Sequence, residues 1–260
     1  MADLDALQRI ERALLAAADL LRGFDPERMD VERKAGGDPV TEADRAVDDL
    51  LRGTLPRDGE GWLSEETRDD GSRLGLRRVW VVDPLDGTRE FVAGIPEWCV
   101  SIALVEDGAV VAGGTCNPLT QEIFLGAAGS GLRRNALPVT VSRRAEIAGA
   151  LVLASRSEVG RGEWEGFRDA PFEVWPTGSV AYKLSRVAAG LADATWSLVA
   201  KHEWDVAAGI ALVQAAGGVV RTFDGSALRF NSPDATVPGL LAANPALAER
   251  LIEFLRDASR

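Results

Sequence analysis

Apolar positions along this chain follow first the period of a helix, then short strand-like runs, then an alternation of the two. Leu4, Leu7, Ile10, Leu14, Leu15, Ala18 and Leu21 recur at helical spacing and predict one amphipathic helix over residues 3–22, ended near Gly23. The polar stretch from Asp25 to Pro39, with Gly36 and Gly37 inside it, predicts a mobile loop. Thr41 opens a second helix: Asp44 follows as a capping-box acid, Val47, Leu50 and Leu51 form the apolar face, and Gly53 closes it. Val79–Val82, Cys99–Val105, Ala109–Thr115 and Glu122–Leu125 read as strands, with Asp107-Gly108 as a hairpin turn between the second and third.

Beyond Val139 strands and helices alternate. Leu151–Ala154, Phe172–Trp175, Ala192–Trp196, Gly218–Phe223 and Gly239–Ala243 are the strand candidates. Gly162–Arg168, Val180–Gly190, Val206–Ala216 and Ala246–Ala258 are the helical ones. The order predicts two layered halves, an α+β half over residues 1–140 and an α/β half over 141–260.

Composition narrows the class. With 260 residues, 46% of them apolar and 27% charged, the chain suits a globular protein with a sizeable core. No stretch approaches the roughly 18 uninterrupted apolar residues of a membrane span. The start, Met1-Ala-Asp-Leu-Asp5, is acidic rather than basic, which argues against a secretory signal and for the cytoplasm. Cys99 and Cys116 lie in apolar strand-like runs and read as buried free thiols in a reducing compartment. The one histidine, His202, and two scattered cysteines do not support a zinc site or a histidine-based phosphatase. A net charge of -11 argues against binding a nucleic-acid polymer. It would also repel an anionic substrate, unless bound divalent cations reverse the local sign.

The chemistry concentrates in Trp80-Val-Val-Asp83-Pro-Leu-Asp86-Gly-Thr88. A buried strand delivers two carboxylates onto a turn that Pro84 stiffens and Gly87 lets bend. Hard carboxylate oxygens suit Mg²⁺ or Mn²⁺, and backbone amides after a glycine suit a phosphate. Acids that could join them stand at Asp38-Pro-Val-Thr-Glu-Ala-Asp44, Leu63-Ser-Glu-Glu66 and Trp204-Asp205. Each alone has a plain structural role open to it: Asp205 as a helix N-cap, Glu65-Glu66 as a solvated pair, Asp44 as a capping-box acid. Asp107 is set aside as a solvated turn residue. Asp83 and Asp86 are harder to place that way, because acids are disfavoured at the end of a buried strand unless they bind something.

Taken together, Asp38-Pro-Val-Thr-Glu-Ala-Asp44, Ser64-Glu-Glu66, Asp83-Pro-Leu-Asp-Gly-Thr88 and Trp204-Asp205 resemble, in this order, the motifs of the inositol monophosphatase superfamily. The resemblance covers nearly the whole chain and implies an α/β fold, the layered αβαβα sandwich, with the site in a cleft between halves. It implies Mg²⁺ as cofactor, two or three ions, with Mn²⁺ as an alternative. Glu65, Asp83 and the Leu85 carbonyl would hold the first ion. Asp83 would bridge to a second held by Asp86 and Asp205, and a third, weaker ion would share Glu65. Asp44 and Thr88 resemble the pair that orients and deprotonates the attacking water, so the implied catalytic group is Asp44, Thr88 and Glu65. Gly87 and Thr88 amides would cradle the phosphate, and Lys34 matches a lysine on a mobile loop of the family.

Peripheral residues bear on the substrate. Arg89-Glu-Phe91, Ser155-Arg-Ser157 and Lys183 in Gly178-Ser-Val-Ala-Tyr-Lys183 resemble the 3′(2′),5′-bisphosphate nucleotidases. Arg156, Ser179 and Lys183, with Asp205, are therefore the expected substrate contacts. Ser197 falls near a glutamate that touches the inositol ring in inositol phosphatases, which weakens that reading. Gly94-Ile-Pro-Glu-Trp-Cys-Val-Ser-Ile102 leans back towards them. The expectation is a lithium-sensitive phosphomonoesterase acting on 3′-phosphoadenosine 5′-phosphate. Inositol-1-monophosphatase and then fructose-1,6-bisphosphatase are the alternatives, and a metal- or nucleotide-binding protein without turnover is the non-enzyme one. His202 reads as an ordinary loop histidine. Its partners would be a small phosphorylated molecule and, as often in the family, a second copy in a homodimer, though no residue pattern here fixes the assembly.

Overall fold

The first apolar period folds as expected, into α1 (Leu4–Leu21), in a computed structural model that describes residues 4–25, 31–33 and 39–258. Within the polar stretch after it, β1 (Val31–Arg33) pairs antiparallel with β2 (Pro39–Thr41). Lys34, Gly36, Gly37 and Asp38 lie outside the described residues. The next helix, α2 (Glu42–Thr54), begins at Thr41, whose side chain accepts from the Ala43 amide while Asp44 closes the capping box.

A seven-stranded sheet follows in chain order. Its strands are β3 (Glu60–Ser64), β4 (Arg78–Asp86), β5 (Cys99–Glu106), β6 (Ala109–Asn117), β7 (Glu122–Ala127), β8 (Gly131–Arg134) and β9 (Leu137–Val139). The first two strands are parallel and the remaining pairs antiparallel. The strand period of two sorts its side chains onto two faces. Trp80, Val82, Val100, Ile102 and Leu104 pack with α1 and α2. Val79, Val81, Ala103 and Val105 pack on the opposite side with α5 (Val180–Ala188) and α6 (Glu203–Ala215). The Asp107-Gly108 turn has positive φ at both residues, 50° and 77°, as a tight hairpin requires.

A second sheet, of five strands, lies against those same two helices. Its spatial order is β11 (Glu173–Thr177), β10 (Leu151–Ser155), β12 (Ala194–Ser197), β16 (Leu240–Ala243), β14 (Val219–Thr222). Val220, Leu240 and Ala242 face α5 and α6, while Val152, Ala154, Trp196, Leu241 and Ala243 pack with Leu247, Leu251 and Leu255 of α7 (Pro245–Ala258). The layers therefore run helices, sheet, helices, sheet, helix. Helix α6 is apolar nearly all round because it is covered from both sides. The glycine pair of β6 sets the spacing on the larger sheet. A Cβ on Gly113 would stand 2.8 Å from the Ala208 carbonyl oxygen, and one on Gly114 2.7 Å from Ile10. Both cysteines are buried and free. Among the described residues no helix is long and apolar enough to cross a membrane.

Several boundaries differ from the sequence expectation, four of them in elements that carry or border the site. Helix α2 continues through Gly53 to Thr54, since the apolar face of Val47 and Leu51 still holds that turn down. Strand β4 runs past Val82 to Asp86, paired to β5 across a bulge. Helix α6 starts at Glu203 with His202 as N-cap, which puts Asp205 inside the first turn rather than at the cap. Residues 162–168 contain a single 3-10 turn, Glu165–Phe167, and the α-helix of this region is the earlier α4 (Arg156–Gly160). Gly162, at φ 80°, breaks the run, and the tight turn suffices to seat Trp164 and Phe167 on Trp196.

Candidate active site

The end of β4 is where the two layers of chemistry meet. Pairing with β5 shifts between Asp83 and Asp86, so the strand bulges at Pro84-Leu85. A bulge re-aims side chains, and here both acids leave the strand on the same side of the fold as the cleft. The Leu85 amide donates to Asp83 Oδ1 at 3.0 Å and fixes that carboxylate. Gly87 follows at φ 99°, and a Cβ there would lie 2.9 Å from that of Trp98, so the turn into α3 (Thr88–Val92) admits only glycine.

Three elements bring these acids together. Glu65 follows β3, Asp83 stands at the bulge of β4, and Asp205 rides the first turn of α6. Their carboxylate oxygens lie within 4.8 Å of one another, with Asp83 buried and the others half-buried. Burial, then the charges of Glu65, Asp86 and Asp205, pushes the Asp83 carboxyl well above its ordinary range. Burial, then Asp86 and Glu65, does the same to Asp205. Like charges crowded this closely call for a cation, and an all-oxygen donor set fits Mg²⁺ or Mn²⁺. Asp86 stands beside the cluster, but its Oδ2 accepts the Ser179 hydroxyl at 2.7 Å and the Ala181 amide at 2.6 Å. Burial dominates there too and raises its carboxyl to about 6.

Asp44 and Thr88 come together as the sequence expectation has them. Thr88 Oγ1 lies 2.9 Å from Asp44 Oδ1 and 3.0 Å from the Leu85 carbonyl. The other Asp44 oxygen accepts the Thr41 amide at 2.8 Å and the Thr41 hydroxyl at 2.6 Å. The capping box thus fixes the helix start and aims the carboxylate at Thr88. Such a hydroxyl–carboxylate pair can accept a proton from water.

Thr88 and the acidic cluster line one cleft of about 500 Å³, with Asp44 and Thr41 buried behind Thr88. Glu65, Asp83, Asp86 and Asp205 line one part of it, and Arg156, Arg161, Lys183 and Lys201 also reach into it. Lys183 is 4% exposed, and burial lowers its ammonium to about 8. Lys201 pairs with Glu158 at 3.6 Å. The Arg156 guanidinium donates to Glu97 Oε2 at 2.6 Å and to the Pro176 carbonyl at 3.1 Å. It is therefore tied to the cleft wall. Ser197 is buried with its hydroxyl donating to the Val199 carbonyl, outside this cleft. His202 stacks on Trp204, centroids 4.4 Å apart, at the cleft edge. Lys34 lies outside the described residues.

Sequence reasoning missed Arg161, Lys201 and Glu97. Lys201 sits on β13 (Lys201–His202), a two-residue strand paired with β15 (Thr236–Val237), too short to leave a period. Glu97 anchors Arg156 and the Gly178 amide, yet its segment carried only a resemblance and no assigned role.

Comparison with known proteins agrees with this architecture. Residues 3–260 match the inositol monophosphatase family. An inositol-1-monophosphatase of Mesorhizobium japonicum is 35% identical over 226 residues, spanning 83% of this chain and 84% of that protein. The IMPase structure from Thermotoga maritima superposes with TM-score 0.84 at 27% identity, over 98% of both chains. CysQ from Bacteroides thetaiotaomicron, a bacterial member of the same family, gives TM-score 0.76 at 25% identity, over 93% of this chain and 98% of that one. The chain belongs to the inositol monophosphatase family, whose members are phosphatases.

Proposed function

We propose that this phosphatase is a Mg²⁺-dependent phosphomonoesterase whose substrate carries a second anionic group, with 3′-phosphoadenosine 5′-phosphate as the first candidate. One observation carries the reading: a single cleft is lined by an acidic cluster and also by Arg161, Lys183 and Lys201. The two kinds of lining suit two different jobs. Glu65, Asp83 and Asp205, with Asp86 beside them, would hold the cation, and the Leu85 carbonyl adds an oxygen at the same turn. When bound, the cation would polarise the phosphate and stabilise the departing alkoxide. Thr88, donating to Asp44, keeps lone pairs to accept a proton from water. As the water oxygen bonds to phosphorus and the ester P–O bond breaks, the water proton passes to Thr88 Oγ1 and the Thr88 proton passes to Asp44. The alkoxide takes a proton from solvent to leave as the alcohol.

The basic lining would hold the second anion. With its ammonium near 8, Lys183 is still mostly charged at neutral pH. Being buried and 4% exposed, it offers a desolvated charge to a phosphate rather than a screened one. Arg156, fixed on Glu97, supports the wall and contributes less than similarity implies.

Inositol 1-phosphate is the second reading, favoured by the activity named for the Mesorhizobium japonicum relative. Phosphate release from 3′-phosphoadenosine 5′-phosphate, inositol 1-phosphate and fructose 1,6-bisphosphate, compared as kcat/KM at saturating Mg²⁺, separates them. The nucleotide should lead by at least about tenfold, which is about 1.4 kcal/mol. A lead for inositol 1-phosphate overturns the proposal.

A further inference from the structure

Ser179 caps α5 from a backbone conformation that side chains rarely adopt, φ 55° and ψ 126°. Strain of this kind persists only where the surroundings impose it. Similarity gives this residue to the substrate, but its hydrogen bonds point elsewhere. The hydroxyl donates to Asp86 Oδ2 at 2.7 Å and accepts from the Tyr182 amide at 2.9 Å. Cys99 Sγ lies 3.6 Å away on the third side, and Ser179 is 9% exposed. The proton is committed to the carboxylate and a lone pair to the helix. The Ala181 amide donates to the same Asp86 oxygen at 2.6 Å.

We propose that Ser179 is a positioning residue for Asp86. With Ala181 it pins one carboxylate oxygen to the N-terminus of α5, leaving the other as the oxygen available to the cation site of Glu65, Asp83 and Asp205. The strained φ at Ser179 is what places its hydroxyl on Asp86 and over the Tyr182 amide at once. Partners that orient a metal ligand typically change metal affinity 10- to 100-fold when removed. The inference rests on reading Asp86 as a cation ligand.

Calorimetric titration of the full chain with Mg²⁺ alone tests it, using Ser179→Gly, Asp86→Asn and Asn244→Ala. Glycine relieves the positive φ while removing the hydroxyl, so loss of fold does not confuse the result. Asn244 accepts the Leu247 amide at the start of α7, and its variant controls for loss of a helix cap. The expected result is a Kd weakened about 10- to 100-fold in Ser179→Gly and more in Asp86→Asn, with Asn244→Ala unchanged. At saturating Mg²⁺ the substrate KM of Ser179→Gly stays near the wild-type value, which a substrate contact would not allow. A wild-type Kd in Ser179→Gly beside a weakened Asp86→Asn overturns the positioning role. A wild-type Kd in Asp86→Asn overturns the ligand reading beneath it.

Discussion

Asp83 is surrounded by Glu65, Asp86 and Asp205 and is almost wholly buried, which makes its ionised form costly in the metal-free protein. Its carboxyl is raised in the folded chain, as are those of Asp86, to about 6, and Asp205. Raised acids contribute stability below their unfolded pKa, and that contribution is lost as pH rises through the folded value. The metal-free protein therefore loses Tm between about pH 4 and neutral pH, and Mg²⁺ restores it by neutralising the cluster. Asp83→Asn should flatten that pH dependence, raise the metal-free Tm at about pH 7, and abolish both turnover and the Mg²⁺-induced rise in Tm. Thermal melts across pH, with and without Mg²⁺, check all three, and an unchanged profile in the variant contradicts the electrostatics. Asp83 was the most legible site residue in the sequence, since an acid that closes a buried apolar strand is disfavoured unless it binds something. The engagement of Asp86 Oδ2 by Ser179 was not legible, because it joins residues 93 positions apart and depends on a positive φ that serine does not advertise.

At the scale of elements, the start of α2 joins folding to chemistry. Thr41 accepts from the Ala43 amide and donates to Asp44, which receives Thr88 on its other oxygen. Thr41→Ala should cost about 1 kcal/mol as a lost cap. It should also lower kcat roughly tenfold with KM unchanged, because Asp44 keeps its charge but loses one of the groups that aim it. A chemical melt paired with steady-state kinetics reads both effects. A change in stability alone would confine the capping box to folding. The box itself was legible as Thr41 followed by Asp44, and α1, α5 and α7 followed from their apolar period. The miss at residues 162–168 has a physical cause. Trp164 and Phe167, three apart, mimic a helical stripe, while Gly160, Gly162 and Gly166 leave no uninterrupted helix to carry it.

For the whole molecule, the layer order was legible from the switch between strand runs and alternating strands and helices, together with the family motifs. The sheets' spatial order was not, because β12 and β14 meet through β16, the last strand in the chain. Nor was the polarity of the cleft. A net charge of -11 conceals the basic lining that Arg161 on the α4 side, Lys183 on α5 and Lys201 on β13 assemble from separate segments. On the function proposed above, this lining recognises a second anion on the substrate. The ratio of kcat/KM for 3′-phosphoadenosine 5′-phosphate to that for inositol 1-phosphate, in wild type and in Lys183→Met, reads that recognition without an intermediary. Methionine keeps the buried volume and removes the charge. The ratio should fall by more than about tenfold, or about 1.4 kcal/mol, through the nucleotide alone. An unchanged ratio, with both substrates affected equally or neither affected, would contradict a second-anion site in this cleft.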